Sequence, residues 1–361
     1  RAVAQSHDGE RRGDFDHGRD PDDCHHDDEQ QQRFRQQRDQ QQRHEQRHHA
    51  PIMTGTMTEL RETFSCFGGE CTVIAAADAA REHEAASAIV AAKTALLEWH
   101  DRFTRFEPTS ELSALNADPR ESVPVTPIMR RVVAAAAQAA LDTNGLVDPT
   151  LADEIEAAGY DRDLAEPGLS LADALRLAPP RAPARARSNA RWTALETDRR
   201  AGTVTRPPGV KLDGGGIAKG VFADELAATL SRHGAFVVDC CGDMRLGGAD
   251  GLVREVHVES PFDSSTLHTY ELAAGGVATS GVGRRAWIGA DGAPAHHLLD
   301  PATGRSAFTG VVQVTALAPT ATEAETRSKA ALLSGPAGAA AWLPHGGVVV
   351  LENGDVRVAA G

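Results

Sequence analysis

The chain has 361 residues, 37 basic and 51 acidic, for a formal net charge of −14, with five cysteines and 4% aromatic side chains. That length suits one large or two ordinary domains and excludes a small disulfide-stapled scaffold. The acidity argues against nucleic acid or an anionic membrane as partner, and no apolar run approaches the roughly 18 residues needed to insert into a bilayer.

From Arg1 to Ala50 the chain is almost entirely Arg, Asp, Gln, His and Gly. Such a segment buries too little apolar area to offset backbone ordering, so residues 1–52 are expected to be a disordered tail. Met53 and Met57 stand just before the first apolar periodicity, so the tail also reads as an upstream extension or a mis-called start. Its His and Asp clusters either are solvated or bind a transition metal such as zinc or nickel. With no signal peptide or lipobox recognisable, and an odd, scattered cysteine set, a cytoplasmic location is expected.

The folded part is expected over residues 58–361. Residues 72–77 read as a strand and 79–106 as a long amphipathic helix carrying Ile89, Leu96, Phe103 and Phe106. Thr126 and Pro127 form an N-cap and first-turn pair for a helix through Thr143, stopped by Gly145. Residues 160–210, rich in Pro, Ala and Arg, read as a surface excursion. A short strand over 210–213, a helix over 217–232 and a buried strand over 235–239 follow, then strands over 253–260, 267–272 and 311–317. A helix over 323–333 and a hairpin turned through Asn353-Gly354 complete an α+β chain.

Three segments carry chemistry. Leu212-Asp213-Gly214-Gly215-Gly216-Ile217-Ala218-Lys219-Gly220 runs through glycines into a helix, where free backbone N–H groups and the Lys219 charge suit a pyrophosphate. It is equally a loose GxGxxxG of a dinucleotide fold, with Asp239 as ribose acid in an NAD(P)-dependent oxidoreductase, or a plain tight turn. In His296-His297-Leu298-Leu299-Asp300-Pro301-Ala302-Thr303-Gly304, His297 is a candidate general base, while Asp300 either faces a ligand or holds its own turn. Thr322-Glu323-Ala324-Glu325 is a capping box, or else Glu325 is a hard-cation ligand. Asp148 in Gly145-Leu146-Val147-Asp148-Pro149-Thr150 is either a turn former or an acid in a cleft.

Taken in order, Phe103–Asn116, GLVDPT, LDGGGIAKG, DCCGD, ATSG, HHLLDPATG and ATEAETRSKAALLSG resemble the ApbE family of FAD:protein FMN transferases over residues 60–361. The resemblance implies a single two-lobed α+β domain, FAD as donor substrate, and Mg²⁺-dependent transfer of FMN to a threonine of an acceptor flavoprotein, with AMP released. The implied acceptor motif is Ser/Asp-Gly-Ala/Ser-Thr. By position, Asp213, Lys219 and the Leu146-Val147-Asp148 step fall where the family contacts FAD. Phe67 and Phe106 fall where it lines the flavin site, and His297, with Leu298 and Asp300 beside it, where it places its base. Gly216 and Glu325 match metal-ligand positions. Lys329 stands where the family has a threonine ligand, and a protonated lysine cannot coordinate Mg²⁺. Three outcomes follow: fewer protein ligands, a lysine pointing elsewhere, or a fixed cation in the metal's place. A non-transferring or FAD-hydrolysing protein with a degenerate metal site is the alternative function. At Asp239-Cys240-Cys241-Gly242-Asp243, Cys241 replaces a family glycine, and the adjacent thiols are either redox-active or inert at a buried strand end.

Overall fold

A computed structural model describes residues 57–162, 168–248, 251–289 and 291–361. The expected tail over 1–52 lies outside the described residues. In chain order the main elements are β1 (Met57–Cys66), β2 (Gly69–Asp78), α1 (Glu82–Phe103), α2 (Pro127–Asp142), α3 (Ala218–Leu230), β3 (Phe236–Cys240), β4 (Asp243–Gly247), β5 (Gly275–Gly281), β6 (Val311–Ala318), α4 (Ala321–Leu333), β7 (Gly347–Leu351) and β8 (Val356–Ala359). The eight strands form one sheet in sequence order, every neighbouring pair antiparallel.

Burial along each strand follows its place in that sheet. β1, at the edge, is polar and nowhere buried before Cys66, whereas Cys71–Ala77 of β2 are buried without interruption because α1 and α3 cover one face and the hairpin of Arg254–Glu259 with Thr266–Leu272 packs against the other, where Ile74 meets Val256. Ile89 and Leu96 of α1, Phe222 and Leu226 of α3, and Val73 and Val238 of the sheet make that core. A second core joins Leu332 and Leu333 of α4 to Val314, Val348 and Val350. α2 begins as expected, with Thr126 Oγ1 accepting from the Met129 N–H and Pro127 in the first turn.

The antiparallel order removes the dinucleotide-fold alternative, which needs a parallel strand on each side of the crossover helix. Residues 210–213 are not a strand either. The Asn116 side chain pairs with them as a neighbouring strand would, accepting from the Leu212 N–H and donating to its carbonyl, both at 2.8 Å. The Asp213 N–H donates to the Pro149 carbonyl, which brings the GLVDPT segment beside the glycine turn. Residues 160–210 are more than a surface excursion: Leu171 reaches the second core, Thr203–Thr205 pairs with Ser122–Pro124, and the Ala184 N–H donates to Leu333 at the end of α4. The N-cap lies two residues earlier than expected, and the Glu323 carboxylate binds Arg327 and does not close a capping box. Thr320 Oγ1 caps α4 by accepting from the Glu323 N–H, and Thr322 instead binds Asp224; Glu325 does not cap α4 and its carboxylate accepts from the Gly220 N–H in the first turn of α3. Among the described residues no helix is long and apolar enough to cross a membrane.

Candidate active site

A cavity of about 450 Å³ opens where the C-terminal end of α1, the loop after α2, the glycine turn before α3, the segment around His297 and the middle of α4 meet. That volume falls within the range of small-molecule and cofactor sites. Its lining includes Phe67, Phe106, Leu146, Val147, Asp148, Asp213, Gly216, Lys219, His297, Leu298 and Lys329. Asp300 and Glu325 are not in the lining.

The glycine-turn part of the cavity carries positive charge, but the Gly215, Ile217, Ala218 and Gly220 N–H groups expected to be free are already spent within the chain. Asp213 Oδ1 accepts from the Gly215 N–H at 2.8 Å, and the Ile217 and Ala218 N–H groups donate to the Gly214 carbonyl, winding the turn into α3. Lys219, in the first turn of α3, sits 2.5 Å from the buried Asp243 carboxylate. Burial works against the Lys219 charge, but the Asp243 and Glu325 carboxylates outweigh it and hold its pKa above the ordinary lysine value. The adjoining part of the lining is aromatic, and Arg105 joins the two, its Nε 3.9 Å from Asp213 Oδ2. Phe67, at φ 54°, stacks on Phe222 with ring centroids 5.6 Å apart, and Phe106 meets Tyr160 edge-on at 5.3 Å. The Arg105 guanidinium lies 4.6 Å from both the Phe106 and the Tyr160 ring centroids. Arg285 donates to the Phe67 carbonyl at 3.1 Å and approaches the Tyr160 ring at 5.8 Å.

The two histidines have opposite surroundings, as period-two alternation predicts. His296 is wholly buried, edge-on to Phe308, with Nδ1 accepting from the Leu298 N–H; burial pulls its pKa down to about 3. His297 lines the cavity, its pKa well below the ordinary value through burial and then the nearby Arg285. Asp300 holds its turn: its carboxylate accepts from the Ala302 and Arg185 N–H groups and from the Thr303 hydroxyl. Asp148 fills both roles considered for it. Oδ1 accepts from the Thr150 N–H and hydroxyl, while Oδ2 is buried with no partner at the cavity.

Arg105 Nη2 and His297 Nδ1 are likewise buried without a partner. Unpartnered buried polar atoms are uncommon and costly, and three around one cavity fit a ligand that both donates and accepts hydrogen bonds. Together with the glycine turn, Lys219 and the aromatic end, they fit a dinucleotide carrying a flat ring system.

A divalent metal fits less well. Gly216, Glu325 and Lys329 do converge, but around an ammonium. Glu325 is fully buried; its Oε2 accepts from the Gly220 N–H at 2.8 Å and its Oε1 from Lys329 Nζ at 3.0 Å. Among the described residues no group of three or more His, Cys, Asp or Glu is arranged to hold a metal ion. At the sheet end behind Phe67, Cys240 is buried, and Cys241, at φ 60°, has its Sγ 3.7 Å from that of Cys71.

Sequence reasoning missed Arg105, Tyr160 and Arg285. Arg105 had a usable signal, a cation beside Phe103 and Phe106 at the end of an amphipathic helix. Tyr160 and Arg285 had none, since each sits in an irregular segment whose place is set by contacts distant in sequence.

Residues 67–351 match the model of the ApbE family. A protein of Treponema pallidum named FAD:protein FMN transferase is 31% identical over 141 residues, covering 35% of this chain and 39% of that one. One of the same name from Escherichia coli K12 is 30% identical over 135 residues, covering 36% and 38%. The matched stretches thus span about two fifths of the length of these curated relatives. Among solved structures, the ApbE protein of Thermotoga maritima superposes with a TM-score of 0.65 at 25% identity, covering 84% of this chain and 97% of that one. The Pseudomonas stutzeri flavinyl transferase ApbE gives the same TM-score at 19% identity over 85% and 96%, a likeness of fold.

Proposed function

The chain belongs to the ApbE family, and from that premise we propose that it is an FAD:protein FMN transferase, moving FMN from FAD to a threonine hydroxyl of an acceptor flavoprotein. The observation that carries this reading is the convergence of Lys219, His297 and Arg105 on one cavity in which three buried polar atoms lack partners. The glycine turn and Lys219 would take the pyrophosphate, and the Phe67, Phe106 and Tyr160 side the isoalloxazine.

Displacement at phosphorus needs alignment, charge neutralisation and a base. The acceptor threonine oxygen forms a bond to the FMN phosphorus; the anhydride P–O bond to AMP breaks, and its electron pair leaves on AMP. The threonine proton passes to His297, which burial keeps neutral and therefore able to accept it. Lys219, fixed by Asp243, neutralises charge that develops on the leaving oxygens. Among the described residues, the magnesium dependence implied by the resemblance finds no group of three or more His, Cys, Asp or Glu to serve as its ligands.

The test is incubation of the protein with FAD and an acceptor bearing a Ser/Asp-Gly-Ala/Ser-Thr motif, followed by mass measurement of the acceptor. An FMN-sized adduct on the threonine is expected. Intact acceptor in the presence of protein that binds FAD would overturn transfer and leave an FAD-binding or FAD-hydrolysing protein.

A further inference from the structure

Glu325 and Lys329 lie one turn apart on α4, beside the N-terminal turn of α3. Both oxygens of the Glu325 carboxylate are committed, one to the Gly220 N–H and one to Lys329 Nζ. The Lys329 stem runs along the glycine turn: a Cβ added at Gly216 would lie 3.5 Å from Lys329 Cε. Lys329 lines the cavity, and so does Lys219, whose own partner Asp243 is also occupied, with its other oxygen 3.3 Å from the Thr279 N–H. A divalent cation entering between Gly216 and Glu325 would have to displace one ammonium while facing a second.

A lysine ammonium has three N–H donors. One is spent on Glu325, and two remain for oxygens in the cavity. The pairing also fixes the side chain, so little is lost in ordering it when a ligand arrives. Resting on the reading of this cavity as a site for FAD, we infer that Lys329 occupies the place of a metal ion. Held by Glu325, its ammonium is a built-in cation for the pyrophosphate of the dinucleotide, and FAD binds without a divalent metal.

The experiment measures FAD affinity by calorimetry for the full chain in excess EDTA and again in excess Mg²⁺, with inorganic pyrophosphate as a second probe in EDTA. Equal FAD affinity within about twofold is expected, and pyrophosphate alone should also bind. Replacing lysine by a neutral chain of similar length, Lys329→Gln, should weaken FAD in EDTA by about tenfold or more and abolish the pyrophosphate heat. Because that variant strands a buried carboxylate, Glu325→Gln/Lys329→Gln, which removes both charges together, is measured beside it and should show the same loss. An FAD affinity that falls about tenfold in EDTA and returns with Mg²⁺ would overturn the inference while leaving the transferase reading intact. So would wild-type affinity in both glutamine variants, or failure of both probes to bind in EDTA where FAD binds in Mg²⁺; failure of FAD in both media would remove the FAD site as well. Binding of pyrophosphate without FAD would do the reverse, sustaining the cation site and removing FAD as its ligand.

Discussion

His296 and His297 share a backbone step and almost nothing else. His297 reaches the cavity with Nδ1 unpartnered, so replacing it by alanine should lower the rate of FMN transfer by about 10²–10⁴-fold, the usual span for a positioned base. FAD affinity, measured by flavin fluorescence, should fall far less than the rate does; undiminished transfer would remove the assigned role. His296 acts on stability instead. Its pKa is about 3 in the folded chain and about 6.5 when unfolded. Between those values the unfolded chain binds more protons, so the contribution is fully present above about pH 6.5 and is lost as pH falls toward 3, at up to about 1.4 kcal/mol per pH unit. Buried Asp239, raised to about 6 by burial, works in the opposite sense and partly masks the trend in wild type. The comparison that isolates His296 is therefore the urea midpoint of wild type against His296→Phe between about pH 6.5 and pH 4. The variant should lose less stability on acidification; parallel curves would contradict the linkage.

At the scale of elements, the site depends on how closely α3 approaches α4. A Cβ at Gly220 would meet the Ala321 carbonyl oxygen and the Thr322 Cα and N, each at 2.8 Å, all of them backbone atoms that cannot swing aside. Gly220→Ala should therefore destabilise the fold by about 1–3 kcal/mol, the usual cost of overpacking. It should also disturb the Gly220 N–H bond to Glu325, read as a lowered melting temperature together with weaker FAD binding. A variant as stable as wild type would mean that the two helices can separate freely. That contact is invisible in the sequence, where Gly220 is simply the last residue of a glycine pattern. Elements with local signals were legible: α1 by its period, α2 by Thr126 and Pro127, the β7–β8 hairpin by Asn353-Gly354. β1 was not, because its alternation is among polar residues, and β5, Gly275–Gly281, was not, because three glycines in seven residues hide a strand. The α4 cap was misplaced by two residues because Thr320 and Thr322 both precede a glutamate by three. Only the Asp224 carboxylate, 2.6 Å from the Thr322 hydroxyl and nearly a hundred residues away in sequence, decides between them.

Across the whole molecule, the eight strands pair in chain order, so the sheet itself asks little of the long connections. The cavity is made by those connections: the segments after α1 and α2, the glycine turn between residues 205 and 218, and the His297 segment between β5 and β6. Motif order in the sequence pointed to this, since Asp148, Asp213 with Lys219, and His297 stand on three stretches that the fold brings together. Their geometry, and the guanidinium held against both Phe106 and Tyr160, could not be read without the fold. A ligand in such a cavity adds to the bonds that already join these segments, and binding only the folded state stabilises it by mass action. FAD at about a hundred times its dissociation constant should add about 2.7 kcal/mol, and at about 2–4 °C per kcal/mol the melting temperature should rise by roughly 5–10 °C. NAD, which lacks the flavin ring for the aromatic end, should raise it far less at the same concentration. Equal shifts with the two dinucleotides would show that only the shared pyrophosphate and adenosine are recognised and would remove the flavin from the assignment.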